Sequence, residues 1–247
     1  MKDINKIGGI GASEVGALFT RDGIRSRTAK TLALEKAKEL ITGEKKQLNS
    51  KELQHGILNE FEAFKNCISP IKPNAEIQSY ISYSICDSLW ATPDVIDTDC
   101  VIDIKCPYTI YTYYQNINKI KKYYQYQVNT QMIATKKDKG FLCYYLTAHI
   151  DENGYKEEYK IPLSERFKFV EVEKIEGFEK ELIKRHSEFI ELRDKIHEDL
   201  IISEDIDDFI FNQLTKSNKV TKLKEKSNFL SWGGQLVCWL NDYYVVE

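Results

Sequence analysis

The sequence predicts a mixed α/β domain, and three observations carry that prediction. Amphipathic helical patterns fill the first quarter, short β-rich runs cluster in the middle, and a long amphipathic helix follows them. At 247 residues the chain is long enough to bury a core without help from disulfides or a structural metal. A composition of 42% hydrophobic, 12% aromatic and 30% charged residues is that of a globular chain and excludes disorder.

In chain order, a Gly-rich entry (Gly8-Gly9-Ile10-Gly11) leads into a short helix over residues 12–19, with Ser13 near its N-terminus. Residues 28–42 read as a second helix, with Leu32, Leu34, Ala37 and Leu40 apolar and Gly43 as its stop. The third, over residues 50–68, has Leu53, Ile57, Phe61, Phe64 and Ile68 on one stripe, which is expected to face the core. Residues 77–83 read as a strand, and residues 89–96 and 100–104 as a hairpin turning at Asp97-Thr98-Asp99. Residues 108–118 are ambiguous, being rich in aromatics, whereas 123–135 are helical by pattern. Strands follow at 141–148, 157–161 and 167–172, then a helix over 176–200 with Phe178, Leu182, Phe189 and Ile196 on one face. The last 45 or so residues look partly helical, so the division is a domain over 1–200 and an extension over 201–247.

Several classes are excluded at once. No stretch approaches the ~18 apolar residues of a membrane-spanning helix. The start, Met1-Lys2-Asp3, lacks the apolar run of a signal peptide, so a cytoplasmic protein is expected, in the host cytoplasm if the chain is viral. A formal charge of −3 rules out a uniformly basic coat, so any nucleic-acid site must be a local patch. The six cysteines form no CxxC pair and the four histidines are scattered. Free thiols packed as small hydrophobes are expected rather than a zinc site.

The chemistry concentrates around the hairpin. Thr92-Pro93-Asp94 precedes it, and Asp103-Ile104-Lys105-Cys106-Pro107 closes it. A turn near residue 98 sets Asp94 and Asp103 at roughly opposite positions on adjacent strands. Like charges so placed destabilise a sheet unless a cation sits between them. Oxygen ligands with few protein donors suit Mg²⁺, which keeps waters and accepts phosphate oxygens. Asp103 and Lys105, two apart, share a face, which brings an ammonium beside the carboxylates. A bare DxK is more often a solvated pair on an exposed strand, but here its flanks, Cys100-Val101-Ile102 and Ile104-Cys106, are apolar. On the third helix Glu60 lies roughly 60° from the centre of the apolar stripe, against roughly 140° for Glu52 and Glu62. It therefore borders the core, where a carboxylate wants a cation. In the helix over 123–135 the stripe Tyr124, Val128, Met132 and Thr135 contains Gln127 and Gln131, amides that need partners if buried.

Pro93-Asp94 with Asp103-Ile104-Lys105 resembles the signature of the PD-(D/E)XK nucleases. The order of the further blocks Gly11-Ala12-Ser13-Glu14-Val15, Gly56-Ile57-Leu58-Asn59-Glu60 and Tyr124 through Gln127-Val128 to Met132 is similar to the lambda-exonuclease and YqaJ-type viral recombinase family. The resemblance covers about residues 6–198. It implies a restriction-endonuclease-like mixed sheet flanked by helices. It further implies that Asp94 and Asp103 bind metal with the Ile104 carbonyl, that Lys105 is the catalytic lysine, and that Glu60 and Gln127 assist. Ser13 matches a residue that helps hold a 5′-phosphate, which agrees with anion binding at a helix start. Lys6 stands at the place of an arginine phosphate clamp, with the charge but not the fork. Asp103 stands where glutamate is usual, and Val95 replaces a frequent glycine.

The expected activity is then Mg²⁺-dependent 5′→3′ digestion of linear double-stranded DNA from its ends in phage-type recombination, with Mn²⁺ able to substitute. A single-strand annealing protein as partner and a homotrimer are implied by the family alone. Lys121 and Lys122, beside Tyr123 and Tyr124, are the expected local DNA contacts. The rival readings are an endonuclease of restriction or repair type on the same fold, and a catalytically silent DNA-binding module.

Overall fold

The computed structural model describes residues 6–45, 50–78, 81–150, 156–157, 159–216, 220–222 and 244–246. Strand β1 (Ile10–Gly11) runs into a 3-10 helix, Ala12–Phe19, where an α-helix is the commoner form for eight residues. Helix α1 (Arg27–Thr42) starts at Ser26, whose side chain accepts the Ala29 N–H, and stops at Gly43 with φ +71°. Helix α2 (Lys51–Ala63), capped by Ser50, continues into one π-helical turn, Phe64–Ile68. Four short strands follow: β2 (Glu76–Ile77), β3 (Tyr83–Cys86), β4 (Leu89–Ala91) and β5 (Val95–Ile96). Next come β6 (Cys100–Lys105), α3 (Ile110–Asn118, capped by Thr109), α4 (Lys122–Thr135) and β7 (Lys139–Tyr145). Strands β8 (His149–Ile150) and β9 (Lys156–Glu157) form a short pair, and β10 (Phe167–Val172) precedes α5 (Phe178–Lys216). The chain divides into Met1–Asp194 and Lys195–Glu247, within α5; the second unit also holds an antiparallel pair, β11 (Val220–Lys222) with β12 (Tyr244–Val246).

The central sheet is five-stranded and mixed, in the order β10-β7-β6-β5-β2. Strands β6 and β7 are parallel, joined through α3 and α4, and the other neighbours are antiparallel. A second sheet, β1-β4-β3, has β1 parallel to β4. Two cores lie on opposite faces of the central sheet. On the α2 side Ala63, Cys67 and Ile68 pack with Val95, Ile102, Ile104 and Cys143. On the α3–α4 side Tyr113, Val128 and Met132 pack with Val101, Leu142 and Tyr144. Strand β6 is buried from Cys100 through Ile104, as a central strand covered on both faces must be.

Four expectations need correction. The strand expected over 157–161 overlaps the observed β9 only at Glu157, and residues 159–161, just before Pro162, are irregular. The α2 stripe does not face inward, because Leu53, Ile57 and Phe61 are 42%, 56% and 65% exposed. The inward face carries His55, Ala63 and Cys67, and its polar members find partners: His55 Nε2 lies 3.0 Å from Thr147 Oγ1, and Tyr145 donates to Glu62 at 2.8 Å. The strand expected over 89–96 is broken into β4 and β5, which belong to different sheets. Pro93 lies in the break, offers no N–H and restricts Thr92. The strand expected over 77–83 is likewise split between β2 and β3, with residues 79–80 outside the described set. Of the cysteines, 67, 100, 106 and 143 are buried free thiols and Cys86 is half-buried; Cys238 lies outside the described residues. Among the described residues no helix is long and apolar enough to cross a membrane.

Candidate nuclease site

The β5–β6 register sets the site. Val95 pairs with Ile102 and Ile96 with Val101, so one further step puts Asp94 opposite Asp103. Since Ile102 and Ile104 enter the α2-side core, the strand period turns Asp103 and Lys105 toward α4. Asp103 is 1% exposed. Its Oδ1 accepts two side-chain amides, Gln127 Nε2 at 2.7 Å and Gln131 Nε2 at 2.8 Å, from successive turns of α4. Its Oδ2 faces Lys105 Nζ at 2.5 Å. Asp94 Oδ2 accepts the Ile104 N–H at 2.6 Å.

Glu60, half-buried on α2, completes the cluster electrostatically. Burial pushes its carboxyl above the usual range, Asp103 pushes it further, and Lys105 opposes both. Asp94 is driven well above the carboxylate range by burial first, then by Asp103 and Glu60, against Lys105 and the Ile104 N–H. Burial would discharge Lys105, but Asp103 and Asp94 outweigh it and hold the ammonium firmly protonated. Its Nζ also sits 4.8 Å from the Tyr124 ring centre, within cation–π range. Three carboxyl groups thus converge on one lysine, an excess of negative charge built from hard oxygens.

Sequence reasoning brings Glu60, Asp94, Asp103, Lys105 and Gln127 to one place, and the structure joins them there. Ile104 contributes its N–H, while its side chain is packed in the core. Gln131 and Tyr124 lie on the expected helix face, although the sequence assigns neither a role; their signal is spacing, one turn either side of the Gln127–Val128 step. Lys121 approaches the same cluster, with its Nζ 6.0 Å from the Tyr124 ring. Lys122 is exposed on the first turn of α4.

Ser13 and Lys6 share a separate feature, a cavity of about 300 Å³ lined also by Gly11, Lys45 and Trp90. Its wall is fixed by a buried ion-pair network that the sequence does not disclose. Lys36, 4% exposed, bridges Glu14 at 2.9 Å and Glu39 at 3.0 Å. Those two carboxylates in turn accept the N–H groups of Gly11 and Gly8, which holds the entry segment against α1. Ser13 itself is exposed on the first turn after Gly11.

Asp97, Asp99 and Cys100 also bring candidate ligand atoms together at the hairpin turn. Cations of the protein already serve that group: Lys72 meets Asp97 at 2.8 Å and Lys139 meets Asp99 at 3.2 Å.

A profile of the YqaJ-like viral recombinase domain matches residues 5–138, a span that contains every site residue named above from Lys6 to Gln131. No curated protein matched the sequence. Among solved structures, the chain is similar to an alkaline exonuclease from Laribacter hongkongensis, at 20% identity and a TM-score of 0.64, over 81% of this chain and 96% of that one. The same exonuclease in complex with dAMP matches equally well. A phage-related exonuclease from Haemophilus somnus 129PT follows at 19% identity and 0.62, over 79% and 96%. These likenesses establish the fold, the restriction-endonuclease-like mixed sheet flanked by helices. The match over more than half of its length establishes the lineage: the chain belongs to the family of YqaJ-like viral recombinase domains.

Proposed function

We propose that the chain is a divalent-metal-dependent deoxyribonuclease that digests linear double-stranded DNA from its ends, 5′→3′, in phage-type recombination. One observation carries the reading: a buried and a half-buried aspartate on neighbouring strands, a helical glutamate and a lysine meet at a single point. The family and the exonuclease neighbours support it. The nuclease domain is assigned to residues 1–200, with 201–247 as an extension.

The donor set fits a divalent cation, because three carboxyl groups face a single lysine there and Asp103 Oδ2 is buried with only that ammonium beside it. Asp94, Asp103, the Ile104 carbonyl and Glu60 would hold it, with Mg²⁺ the working ion and Mn²⁺ a substitute. When bound, such an ion supplies a water of lowered pKa and neutralises charge on the scissile phosphate. Asp94 has Oδ2 engaged by the Ile104 N–H, so Oδ1 is the oxygen that would meet the ion. Gln127 fixes Asp103 and, by the resemblance, would lie near the nucleophile. Lys105, kept charged, stabilises negative charge gathering on the phosphate rather than accepting a proton. Lys121 and Lys122 neutralise neighbouring backbone phosphates. Ser13 and Lys6 take the terminal 5′-phosphate in their shared cavity. A single-strand annealing partner and a homotrimeric ring complete the proposal, on the resemblance alone.

The test is a digestion series with Mg²⁺ on end-labelled linear duplexes bearing a 5′-phosphate or a 5′-hydroxyl, beside a covalently closed circle. The linear duplexes should lose the 5′ label first, faster with the phosphate, and the circle should survive. Ser13→Ala should narrow the difference between the two ends. A cut circle would replace the reading with an endonuclease, and no cleavage of any end would replace it with a silent DNA-binding module.

A further inference from the structure

Gln131 is wholly buried, and its polar atoms are used unequally. Its Nε2 donates to Asp103 Oδ1, beside the bond from Gln127. Its Oε1 is buried with no hydrogen-bond partner. An unpaired buried carbonyl is costly, and turning the amide over would press Oε1 against the Asp103 carboxylate. A leucine or methionine of similar bulk would carry no such penalty. The amide's one bond is therefore the reason for its presence at this position.

That bond changes what Asp103 can offer. Each carboxylate oxygen has about two acceptor sites, and Gln127 with Gln131 occupies both at Oδ1. Oδ2 remains. Resting on the metal-site reading above, we propose that Gln131 is a positioning residue that sets metal preference, by blocking Oδ1 so that Asp103 meets a divalent cation through Oδ2 alone. Mg²⁺ demands a near-octahedral shell and is satisfied by single carboxylate oxygens and waters. Ca²⁺ gathers six to eight oxygens and readily takes both from one carboxylate. An aspartate barred from two-oxygen binding thus favours the smaller ion. Gln127 alone would leave one acceptor site of Oδ1 open.

The test is calorimetric titration of the full chain, without DNA, with Mg²⁺ and separately with Ca²⁺, for the unaltered protein and for Gln131→Leu. Mg²⁺ affinity should fall about tenfold in the variant, the usual scale for losing a partner of a ligand. Ca²⁺ affinity should hold or rise, so the ratio of the two shifts by about tenfold or more. An unchanged ratio overturns the proposal, whether both affinities fall together or neither moves, because a purely structural role would affect both ions alike. If circular dichroism shows Gln131→Leu unfolded, Gln131→Met, unbranched and adaptable, undergoes the same titrations, and a shifted or unshifted ratio decides in the same way. If the unaltered chain binds neither ion in a manner abolished by Asp94→Asn, the metal-site reading itself falls, and this inference with it.

Discussion

Gly140 on β7 is where the packing of the sheet and the geometry of the site are most tightly linked. A Cβ at this position would lie 2.4 Å from Val128 Cγ1, and 3.1 and 3.2 Å from Met132 Sδ and Cγ. Carbon atoms in contact prefer about 3.5–4.0 Å, so Gly140→Ala demands a displacement on the order of 1 Å. Val128 cannot simply swing aside, since a β-branched residue in a helix has one strongly preferred rotamer. The strain falls on α4 as a whole. Overpacking of this kind costs about 1–3 kcal/mol, or roughly a 2–12 °C fall in melting temperature for a chain of this size. The same shift would carry Gln127 and Gln131, now 2.7 and 2.8 Å from Asp103, beyond hydrogen-bond reach. Cleavage should therefore drop about tenfold or more at a temperature where the variant remains folded. Thermal melts and initial digestion rates of Gly140→Ala, Val128→Ala and the double variant measure both effects. Restored space should make the double variant more stable and more active than the two single changes predict by addition. Additive effects, or an unshifted melt for Gly140→Ala, would refute the packing argument.

Two other consequences are open to direct measurement. Asp94→Asn should abolish cleavage yet, without added metal, raise stability by about 0.5–2 kcal/mol, since it removes one of three crowded carboxyl groups while keeping an acceptor for the Ile104 N–H; Lys105→Ala should be equally inactive but less stable, and DNA retention by both in a gel-shift assay separates chemistry from binding. His186 on α5 packs its Nδ1 3.6 Å from Cys86 Sγ, and burial lowers its pKa below the usual histidine value, against a hydrogen bond with the Ser88 backbone and helped by the nearby Arg193. The unfolded chain therefore takes up the proton first: His186 leaves stability intact above about pH 6.5 and erodes it as pH falls toward its lower folded value. Denaturant midpoints measured between pH 7.5 and 5 should show that slope, and His186→Gln should flatten it; an unchanged slope would point to another group.

What is legible in the sequence follows from backbone periodicity and turn chemistry. The turn at residues 97–99 is where it is expected, with the Asp97 N–H donating to the Cys100 carbonyl, and period two alone puts Asp103 and Lys105 on one face. The expected bounds of helix α4 and strand β10 lie within a residue of the observed ones. What is illegible is polar burial. The inward face of α2 is lined by His55, Glu62 and Asn66, satisfied by Thr147 and Tyr145, so a rule that points apolar residues inward turns the helix the wrong way. Glu60 still reaches the site because it flanks the true inward face as well as the expected one. Lys36 misleads in the same manner, since nothing local reveals that Glu14 will arrive to pair with it. The partition of Asp103 between Gln127, Gln131 and Lys105 depends on how α4 crosses β6, which no local pattern encodes.

A buried site with three carboxyl groups opposes folding, and strand β6 explains how the fold tolerates it. Ile102 and Ile104 anchor one core while Asp103 and Lys105, interleaved with them, form the site on the other face. A slip of one residue would exchange these faces. It would drive Asp103 and Lys105 among Cys67, Ile68, Cys143 and Tyr145, and would leave the two α4 amides facing isoleucines. Both exchanges are unfavourable, so the register that buries the isoleucines is the one that aims the charges. Six residue pairs with β7 on one side, and the hairpin to β5 on the other, enforce it. Core packing and site geometry are therefore one constraint, and substitutions at Ile102 or Ile104 cannot change the first without moving the second.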